Sequence, residues 1–306
     1  MNNLGTTTTV SIVILTYKSE DYIAQCLTSI ARSDNGDKHE IIIVDNASSD
    51  LSTTVANQTI KALGLTRAKV VPLPKNLGCA SGNNAGWRAA TGDIILFLNP
   101  DTEITASFVA EITNPLINDP EAAVTGAKIY YPNSRVLQHA GAYIHPNGMT
   151  GHYGVGETDD QELYNEIRPC DYVTGAGFAV TRKALEELNG FDEEYFPAYF
   201  EETDFCTRVR KILHKKVLYI PTAILYHHES VTLAVDSPAF RRLYQKMRIM
   251  YLCKNLRTLR EWRKAIGFEK WWMLKSPHSR GHRTEQFRAY YEAAVQLIKN
   301  KFTHSA

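Results

Sequence analysis

The first hundred residues alternate between short, unbroken apolar runs and segments whose apolar residues recur at helical spacing. The runs predict strands that are covered on both faces, as in the middle of a parallel sheet. They are VSIVIL (10–15), EIIIV (40–44), KVVPL (69–73) and IILFL (94–98). After the first run, Ile23, Leu27 and Ile30 fall on one face of a predicted helix, and helical segments also follow the second and third runs. The alternation predicts an α/β fold, a mostly parallel sheet with helices on both faces.

Polar residues follow three of these strands directly. They are Thr16 and Tyr17 after the first strand, Asp45 and Asp50 after the second, and Asn99 and Asp101 after the fourth. A single polar strand end would indicate only that the chain enters solvent. In a parallel sheet, however, ligands bind beyond the carboxyl ends of the strands. Three polar ends that carry Asp45, Asp50 and Asp101 therefore favour a ligand site on one rim of the sheet.

The segment before the fourth strand indicates the kind of ligand. Gly78, Gly82 and Gly86 recur every four residues, so they line one side of a predicted helix and let another backbone approach closely. Neither a GxGxxG nor a GxxxxGK[ST] motif is present, which argues against a nicotinamide or flavin enzyme and against a P-loop. Acidic strand ends beside such a helix suit a nucleoside diphosphate that is held through Mg²⁺ or Mn²⁺.

Two further groups of polar residues are candidates for chemistry. Glu201 and Glu202 fall in the first turn of a helix that is predicted to start near Glu201. Acids at this position can simply complement the helix dipole, or one of them can act as a general base. The segment KVLYIPTAILYHHES predicts two strands that end at His227 and His228, and a histidine there is either a surface residue or a metal ligand.

Composition predicts a soluble, cytoplasmic protein. Hydrophobic residues make up 44% of the chain and charged residues 22%, and no apolar run approaches the length that spans a bilayer. The N-terminus has no basic residue before its first apolar strand, which argues against a signal peptide. The five cysteines are scattered and form no CxxC pair, which favours reduced thiols over a disulfide framework or a cysteine metal site.

The net charge of +1 hides an asymmetry between two regions. Residues 240–306 contain 16 Lys and Arg against 4 Asp and Glu, whereas residues 1–239 contain 18 against 29. Ser237 and Pro238 fit the N-cap and first position of a new helix. We therefore expect a catalytic domain over residues 1–238 and a basic helical region over 239–306.

The basic region has a candidate partner of its own. Apolar residues from Phe240 to Tyr251 lie on one helical face, with Arg241, Arg242, Lys246 and Arg248 around it. Trp262, Trp271 and Trp272 follow among lysines. These helices can pack on the rest of the protein or form an oligomer surface. Alternatively, the region docks on an anionic membrane, with the tryptophans at the level of the lipid headgroups and the protein peripheral at the inner face of the cell membrane.

Five segments in order resemble the family 2 inverting glycosyltransferases, and in particular bacterial rhamnosyltransferase-like members. They are VSIVILTYKSEDYIAQCLTSI, IIIVDNASSD, NLGCASGNNAGWRAATGDIILFLNPDTE, VTGAGFAVTRKALEELNGFDEEYFPAYFEETDFCTRVRK and VLYIPTAILYHHES. The resemblance covers about residues 10 to 255. It implies the GT-A fold, a Rossmann-like α/β domain that binds a nucleotide-sugar and a divalent ion, here followed by a C-terminal helical extension.

The resemblance also implies roles for individual residues. Asp101 matches the metal-binding acid of the family's DxD element, and His227, rather than His228, matches the histidine that completes the metal site. Glu202 matches the catalytic base, where aspartate is usual, so Glu201 stays an alternative. The remaining positions are candidates for holding the nucleotide-sugar. They are Thr16, Tyr17, Asp45, Asn76, Gly78, Asn83 and Asn99.

The implied reaction is a single displacement from a uridine or thymidine diphosphate sugar to a glycan or lipid-linked acceptor. A rhamnose-like donor and a role in the synthesis of surface polysaccharides are part of this expectation; nucleic acid is not an expected partner. A glycoside hydrolase would also use paired carboxylates, but it needs neither a nucleotide pocket nor a metal. A catalytically inactive glycan-binding relative would have no reason to keep Asp101, Glu202 and His227 together.

Overall fold

The computed structural model of the protein describes residues 8–160, 163–229, 237–275 and 283–303. They fall into two compact units. The first unit holds the described residues up to 142 and those from 152 to 229. The second unit holds 143–151 and the described residues from 237 onward.

Strands and helices alternate along the first hundred residues, as the apolar pattern predicts. The strands are β1 (Val10–Thr16), β2 (Glu40–Asp45), β3 (Ala68–Pro72), β4 (Ile94–Leu98), β5 (Thr102–Ile104), β6 (Ala122–Tyr130), β7 (Leu137–His139), β8 (Ala142–Ile144), β9 (Thr150–His152), β10 (Arg168–Pro169), β11 (Gly177–Thr181) and β12 (Lys216–His227). The helices are α1 (Ile23–Arg32), α2 (Ser52–Leu63), α3 (Gly78–Ala89), α4 (Phe108–Asn118), α5 (Arg182–Glu187) and α6 (Glu201–Lys211), and the second unit adds α7 (Pro238–Asn255), α8 (Leu259–Lys275) and α9 (Arg283–Thr303).

The sheet is parallel in its N-terminal half and mixed beyond it. Strands β3, β2, β1 and β4 lie side by side in that order, and each neighbouring pair is parallel. On the other side of β4, β11 runs antiparallel to both β4 and β6, and β12 then runs parallel to β6. All five residues of β4 and all nine of β6 are buried, because helices or strands cover both faces. The mostly parallel α/β sheet is thus confirmed.

The glycines of α3 place this helix directly on the sheet. A Cβ at Gly82 would lie 2.4 Å from a methyl group of Leu15, and one at Gly86 would lie 2.3 Å from a methyl group of Val13. Such distances are too short for carbon atoms, so only glycine permits this packing. The spacing of four therefore has the expected cause, a close approach between a helix and β1.

The prediction of two strands in KVLYIPTAILYHHES is wrong, because the structure has one strand, β12. Its pairing with β6 shifts register between Ile220 and Ile224. Pro221 lies within this irregularity, where a residue without an amide proton is tolerated. The strand therefore resumes after the bulge and delivers His227 to its end.

The second unit contains most of β8 and β9 and the helices α7, α8 and α9, which are organised around a buried arginine. The side chain of Ser237 accepts a hydrogen bond from the Phe240 amide, so the predicted cap of α7 is confirmed. The prediction that Arg248 lies with the exposed basic residues of α7 is wrong, since Arg248 is 0% exposed. Of the tryptophans that were predicted at a membrane surface, Trp271 is exposed, whereas Trp262 and Trp272 are half-buried.

Arg248 joins four segments of the second unit. Its guanidinium donates hydrogen bonds to both carboxylate oxygens of Glu269 on α8, at 2.8 and 2.9 Å, and to the carbonyl oxygen of Asn147, at 2.6 Å. Tyr290 on α9 also accepts from Arg248 and donates to Glu269. The ring of Trp272 lies 5.8 Å from the guanidinium carbon. Across the part of the chain that the structure describes, no helix is long and apolar enough to cross a membrane.

Candidate active site

The ends of β1 and β2 bring two of the predicted nucleotide-binding residues together. Thr16 and Asp45 are register partners, and the Thr16 hydroxyl donates to Asp45 Oδ1 at 3.4 Å. Asp45 Oδ2 accepts from the Ser48 amide at 3.3 Å. Both bonds are long, so this buried carboxylate keeps capacity to accept a further hydrogen bond. Tyr17 follows Thr16 and is half-buried.

Asp50 has a local role instead. Its carboxylate accepts from the Ser52 hydroxyl at 2.6 Å, from the Ser52 amide at 3.2 Å and from the Glu20 amide at 3.2 Å. Partial burial raises its pKa, but these hydrogen bonds outweigh burial and hold the pKa below the usual value. Asp50 therefore stabilises the start of α2, and these hydrogen bonds account for an acid at this position.

Asn46 fixes the start of α3, a role that the sequence does not reveal. Its side-chain oxygen accepts from the Leu77 amide at 2.8 Å, and its side-chain nitrogen donates to Asn76 at 3.1 Å and to the Gly78 carbonyl at 3.3 Å. Gly78 has a φ of +79°, and a Cβ there would lie 2.7 Å from the Pro197 carbonyl oxygen. Asn76 and Gly78 thus stand at the N-terminus of α3, and Asn83 lies half-buried one turn further on.

The predicted metal ligands meet at the end of β4. Asp101 is 5% exposed, and its Oδ1 lies 3.2 Å from Nε2 of His227, the last residue of β12. The backbone supports this arrangement, because the His228 amide donates to the Asp101 carbonyl at 3.0 Å. Among the described residues, no group of three or more His, Cys, Asp and Glu is placed to hold a metal. The described chain thus offers a pair of ligands here.

Gln138 on β7 makes two hydrogen bonds to His227. Its side-chain nitrogen donates to the His227 carbonyl at 2.6 Å, which places its oxygen 3.0 Å from Nδ1 of the same residue. An amide oxygen only accepts hydrogen bonds, so Nδ1 donates to Gln138 and Nε2 is the nitrogen that faces Asp101. No pattern in the sequence identifies Gln138, because β7 lies about 90 residues before His227.

The two adjacent histidines differ in their surroundings. His228 Nε2 lies 2.7 Å from the carboxylate of Glu103, and its ring packs 5.8 Å from that of Tyr22. This contact helps to lower the pKa of Glu103, against the opposing effect of partial burial. His228 therefore has a partner in the protein, and the structure brings His227 to Asp101.

Glu201 and Glu202 begin α6, after two residues, Tyr199 and Phe200, with positive φ. Burial raises the pKa of Glu202 to about 7, although backbone amides of Glu202, Thr203 and Gly175 partly offset this effect. Burial and the neighbouring charge of Glu202 raise the pKa of Glu201 well above the usual value. One carboxylate oxygen of Glu201 is buried with no hydrogen-bond partner in the described chain.

Consecutive residues before β11 connect the glutamates to the end of β4. The Gly175 amide contributes a hydrogen bond to Glu202, and the next residue, Ala176, accepts one from the Asn99 amide at 3.0 Å. Asn99 in turn lies two residues before Asp101. The link between the candidate base and the candidate metal ligand is therefore a short backbone segment, whose polar groups are invisible to a search for side-chain motifs.

The start of α3 reaches the same area. The Cys79 amide donates to the Pro197 carbonyl at 2.8 Å, in the loop that leads to α6. Burial, together with the charges of Glu201 and Glu202, raises the pKa of the Cys79 thiol. The helix that holds Asn76 and Gly78 is thus adjacent to the helix that begins with the two glutamates.

Comparison with known proteins identifies the family. The model described as Glycosyl transferase family 2 matches residues 11–188, more than half of the chain. An N-acetylglucosaminyl-diphospho-decaprenol L-rhamnosyltransferase of Mycobacterium tuberculosis is 24% identical over 273 residues, covering 79% of this chain and 83% of the relative. The uncharacterized protein y4gI of Sinorhizobium fredii is 28% identical over 254 residues, but the chain covers only 28% of its length.

Solved structures share the fold. The mannosyltransferase PcManGT from Pyrobaculum calidifontis, in complex with GDP-Man and Mn²⁺, is 16% identical with a TM-score of 0.62, covering 98% of this chain and 81% of its own. S. aureus TarS 1-349 in complex with UDP-GlcNAc is 16% identical with a TM-score of 0.60, covering 94% and 81%. The expected GT-A fold is therefore confirmed. The family model covers more than half of the chain and includes Thr16, Asp45 and Asp101. The chain therefore belongs to glycosyl transferase family 2.

Proposed function

We propose that this chain transfers a sugar, with inversion at the anomeric carbon, from a uridine or thymidine diphosphate sugar to a hydroxyl group of a glycan or lipid-linked acceptor. A rhamnose-like donor and a role in surface polysaccharide synthesis belong to the proposal, and the likeness to the mycobacterial rhamnosyltransferase supports both. All five cysteines are free, which supports a reaction in the cytoplasm. The observation that carries the proposal is the single backbone segment that connects Glu202 to the strand end of Asp101.

The nucleotide would bind over the ends of β1 and β2. The buried Asp45 carboxylate can accept a hydrogen bond from the ring N–H of uracil or thymine, a donor that cytosine lacks. Thr16 and Tyr17 lie beside it, and the side chains of Asn76, Asn83 and Asn99 would contact the ribose or the diphosphate. The N-terminus of α3 at Gly78 suits negative charge because helix amides point outward there.

Asp101 and His227 have the chemistry of a divalent metal site. A carboxylate oxygen of Asp101 and Nε2 of His227 lie 3.2 Å apart, and a divalent cation could accept both as ligands once Nε2 is free of a proton. The distance also fits two neighbouring ligands of one ion, since bonds of about 2.1 Å at a right angle separate them by about 3 Å. Mg²⁺ or Mn²⁺, completed by phosphate oxygens and water, would neutralise charge on the leaving diphosphate.

Glu202 would act as the general base. Its carboxylate takes the proton from the acceptor hydroxyl, whose oxygen forms a bond to the anomeric carbon as the bond from that carbon to the diphosphate oxygen breaks. The nucleoside diphosphate leaves with the electron pair, and attack from the opposite face inverts the centre. A pKa of about 7 suits a base that must be ionised near neutral pH yet hold a proton in the transition state. Burial and the charge of Glu202 raise the pKa of Glu201, which disfavours a second charge beside the base.

Nucleotide binding tests the proposal before any acceptor is known. Thermal stabilisation of the full chain should be measured with UDP, dTDP, GDP and CDP, each with Mn²⁺, with Mg²⁺ and with chelator. We expect UDP or dTDP with metal to give the largest shift, and Asp45→Ala to reduce the preference over CDP. Equal shifts for all four nucleotides would overturn the role of Asp45, and shifts that chelator leaves unchanged would overturn the metal site.

A further inference from the structure

Helix α8 of the second unit presents an exposed face of unusual composition. Ten of its residues are exposed, and they recur as adjacent pairs every three or four positions along the whole helix. This pairing defines one continuous stripe on a single side of the helix. The ten residues, here called the α8 face, are Leu259, Arg260, Arg263, Lys264, Ile266, Gly267, Lys270, Trp271, Leu274 and Lys275.

The α8 face combines large apolar side chains with positive charge. Leu259, Ile266, Trp271 and Leu274 are 79%, 51%, 56% and 66% exposed, respectively. The other side chains of the face are five lysines and arginines, apart from one glycine, and none is acidic. A helix that only covers a protein core would expose polar residues of both signs and keep its large apolar residues inside.

The two acidic residues of α8 are both engaged elsewhere. Glu261 caps the helix, since its carboxylate accepts from the Thr258 amide at 2.9 Å while the Thr258 hydroxyl accepts from the Glu261 amide at 3.2 Å. Glu269 faces inward and binds Arg248. The separation of charge is therefore built into the helix, with acids at its start and its inner side and bases on its outer side.

We infer that the α8 face docks on an anionic lipid bilayer. Basic residues flanking exposed tryptophan and aliphatic residues on one helical stripe are the pattern of helices that lie in the membrane interface. The chain offers about 25 Å of such a helix, at 1.5 Å per residue over 17 residues. A second copy of the chain is a poorer occupant, because pairing this face with itself would bring ten cationic groups together. Nucleic acid would match the charge but not the three exposed aliphatic side chains.

This inference stands apart from the chemistry proposed above, although a lipid-linked acceptor would give the docking a purpose. The proposed membrane-binding surface is confined to α8 and does not include Arg248, which is on α7 and buried. Because the surface potential of an anionic leaflet attracts each basic residue separately, neutralising part of the face should weaken binding in steps.

Vesicle sedimentation of the full chain tests the inference. Vesicles of phosphatidylcholine alone should be compared with vesicles containing 30–40% phosphatidylglycerol, as a roughly chosen anionic composition, at low and at high salt. One variant, with Arg260→Gln, Arg263→Gln and Lys264→Gln, removes three charges from the face. Its matched control, with Lys61→Gln, Arg67→Gln and Lys183→Gln, removes three exposed charges from the first unit.

We expect the wild type to bind anionic vesicles at low salt and to be released at high salt. The α8 variant should bind on the order of 100-fold more weakly, at about fivefold for each lost charge, while the control binds nearly as wild type. Equal losses in both variants would show that only net charge matters and would overturn the inference.

A second pair of measurements separates a bilayer from other occupants. Trp271→Ala with Leu274→Ala keeps every charge, and we expect it to weaken binding to anionic vesicles by about tenfold without changing the oligomeric state in sedimentation velocity. If these substitutions leave vesicle binding unchanged while duplex DNA competes for the protein, the face is a general polyanion surface and the inference fails. It also fails if the substitutions dissociate an oligomer, because the face would then be an interface between copies.

Discussion

Two regions of the molecule bury charged side chains, and they differ in whether those charges satisfy one another. In the second unit, the Arg248 guanidinium is matched by Glu269, with further bonds to Asn147 and Gln245. At the end of β4, the Asp101 carboxylate lies 3.2 Å from Nε2 of His227. The first group is an ion pair within the protein, whereas we propose that the second pair binds a divalent cation.

The glutamates of α6 extend the contrast. Burial lowers the stability of their charged forms, and one oxygen of Glu201 is buried without a hydrogen-bond partner in the described chain. A folded protein tolerates such unfavourable groups where a ligand or a proton transfer makes use of them. The comparison shows that burial of charge alone does not identify a functional site. The useful signal is burial together with groups that the protein leaves unmatched.

The largest effect that we expect is from Asp101→Ala. The substitution removes one of the two proposed metal ligands, so sugar transfer should fall on the order of 10³-fold or more, and metal-dependent nucleotide binding should disappear. The fold should persist, since a carboxylate at a strand end contributes little packing. Turnover and nucleotide binding with Mn²⁺ would be measured side by side. Full activity of the variant in the presence of strong chelator would refute the metal role.

Glu202→Gln keeps the size and shape of the side chain but removes the carboxylate that can accept a proton. We expect turnover to fall about 10²–10⁴-fold with little change in donor affinity, because the base faces the acceptor. Glu201→Gln is the matched control and should keep most of the activity.

The pH dependence of turnover also tests the role of Glu202. As the proposed base, Glu202 would act only when ionised, and burial raises its pKa to about 7, so wild-type turnover should rise with pH up to about 7 and level off above. Glu202→Gln should lose that dependence. Near-normal turnover in Glu202→Gln with a large loss in Glu201→Gln would reverse the assignment.

Much of the first unit was predictable from the sequence, because apolar runs and helical spacing are local signals. The strands β1, β2 and β4 and the polar residues at their ends follow directly from such runs. The spacing of Gly78, Gly82 and Gly86 likewise predicted a close approach, which the structure has for Gly82 and Gly86 against β1 and for Gly78 against the loop at Pro197.

Three features were not predictable, and each depends on contacts between distant segments. The segment KVLYIPTAILYHHES was predicted to form two strands, but pairing with β6 accommodates Pro221 in an irregularity of one strand. Arg248 looked like a surface residue, but Glu269 on another helix compensates its burial. Gln138 carries no local signal at all, and only the pairing of β7 with β6 brings it to the end of β12.

Arg248→Met tests the buried ion pair of Arg248 and Glu269 in the second unit. Removing the guanidinium leaves the half-buried Glu269 without its cation and removes the buried hydrogen bonds of Arg248, which should lower the free energy of unfolding by about 3 kcal/mol. Arg242→Met on the same helix is the control and should cost less than about 1 kcal/mol, because its ion pair with Glu292 is long and exposed. Chemical denaturation followed by tryptophan fluorescence reports on this unit, which contains three of the four tryptophans. Adding Glu269→Leu to Arg248→Met should restore most of the loss; no restoration would show that packing of Arg248, not its charge, is what matters.

Gln138→Met tests the pair of Asp101 and His227, with a smaller expected effect than Asp101→Ala. The substitution keeps the size of the side chain but removes the acceptor that holds the proton on Nδ1 of His227, so Nε2 would present a lone pair only part of the time. We expect the affinity for Mn²⁺ in the presence of nucleotide to fall about 10–100-fold, while turnover at saturating Mn²⁺ stays close to that of the wild type. Gln138→Glu retains an acceptor for Nδ1, and it should lose much less Mn²⁺ affinity even though it gives up the bond to the His227 carbonyl. Titration with Mn²⁺ followed by electron paramagnetic resonance measures the affinity without any turnover. If both variants lose the same affinity, Gln138 only packs against the histidine. If only the methionine variant loses it, the hydrogen bond that His227 Nδ1 donates is what supports metal binding at Nε2.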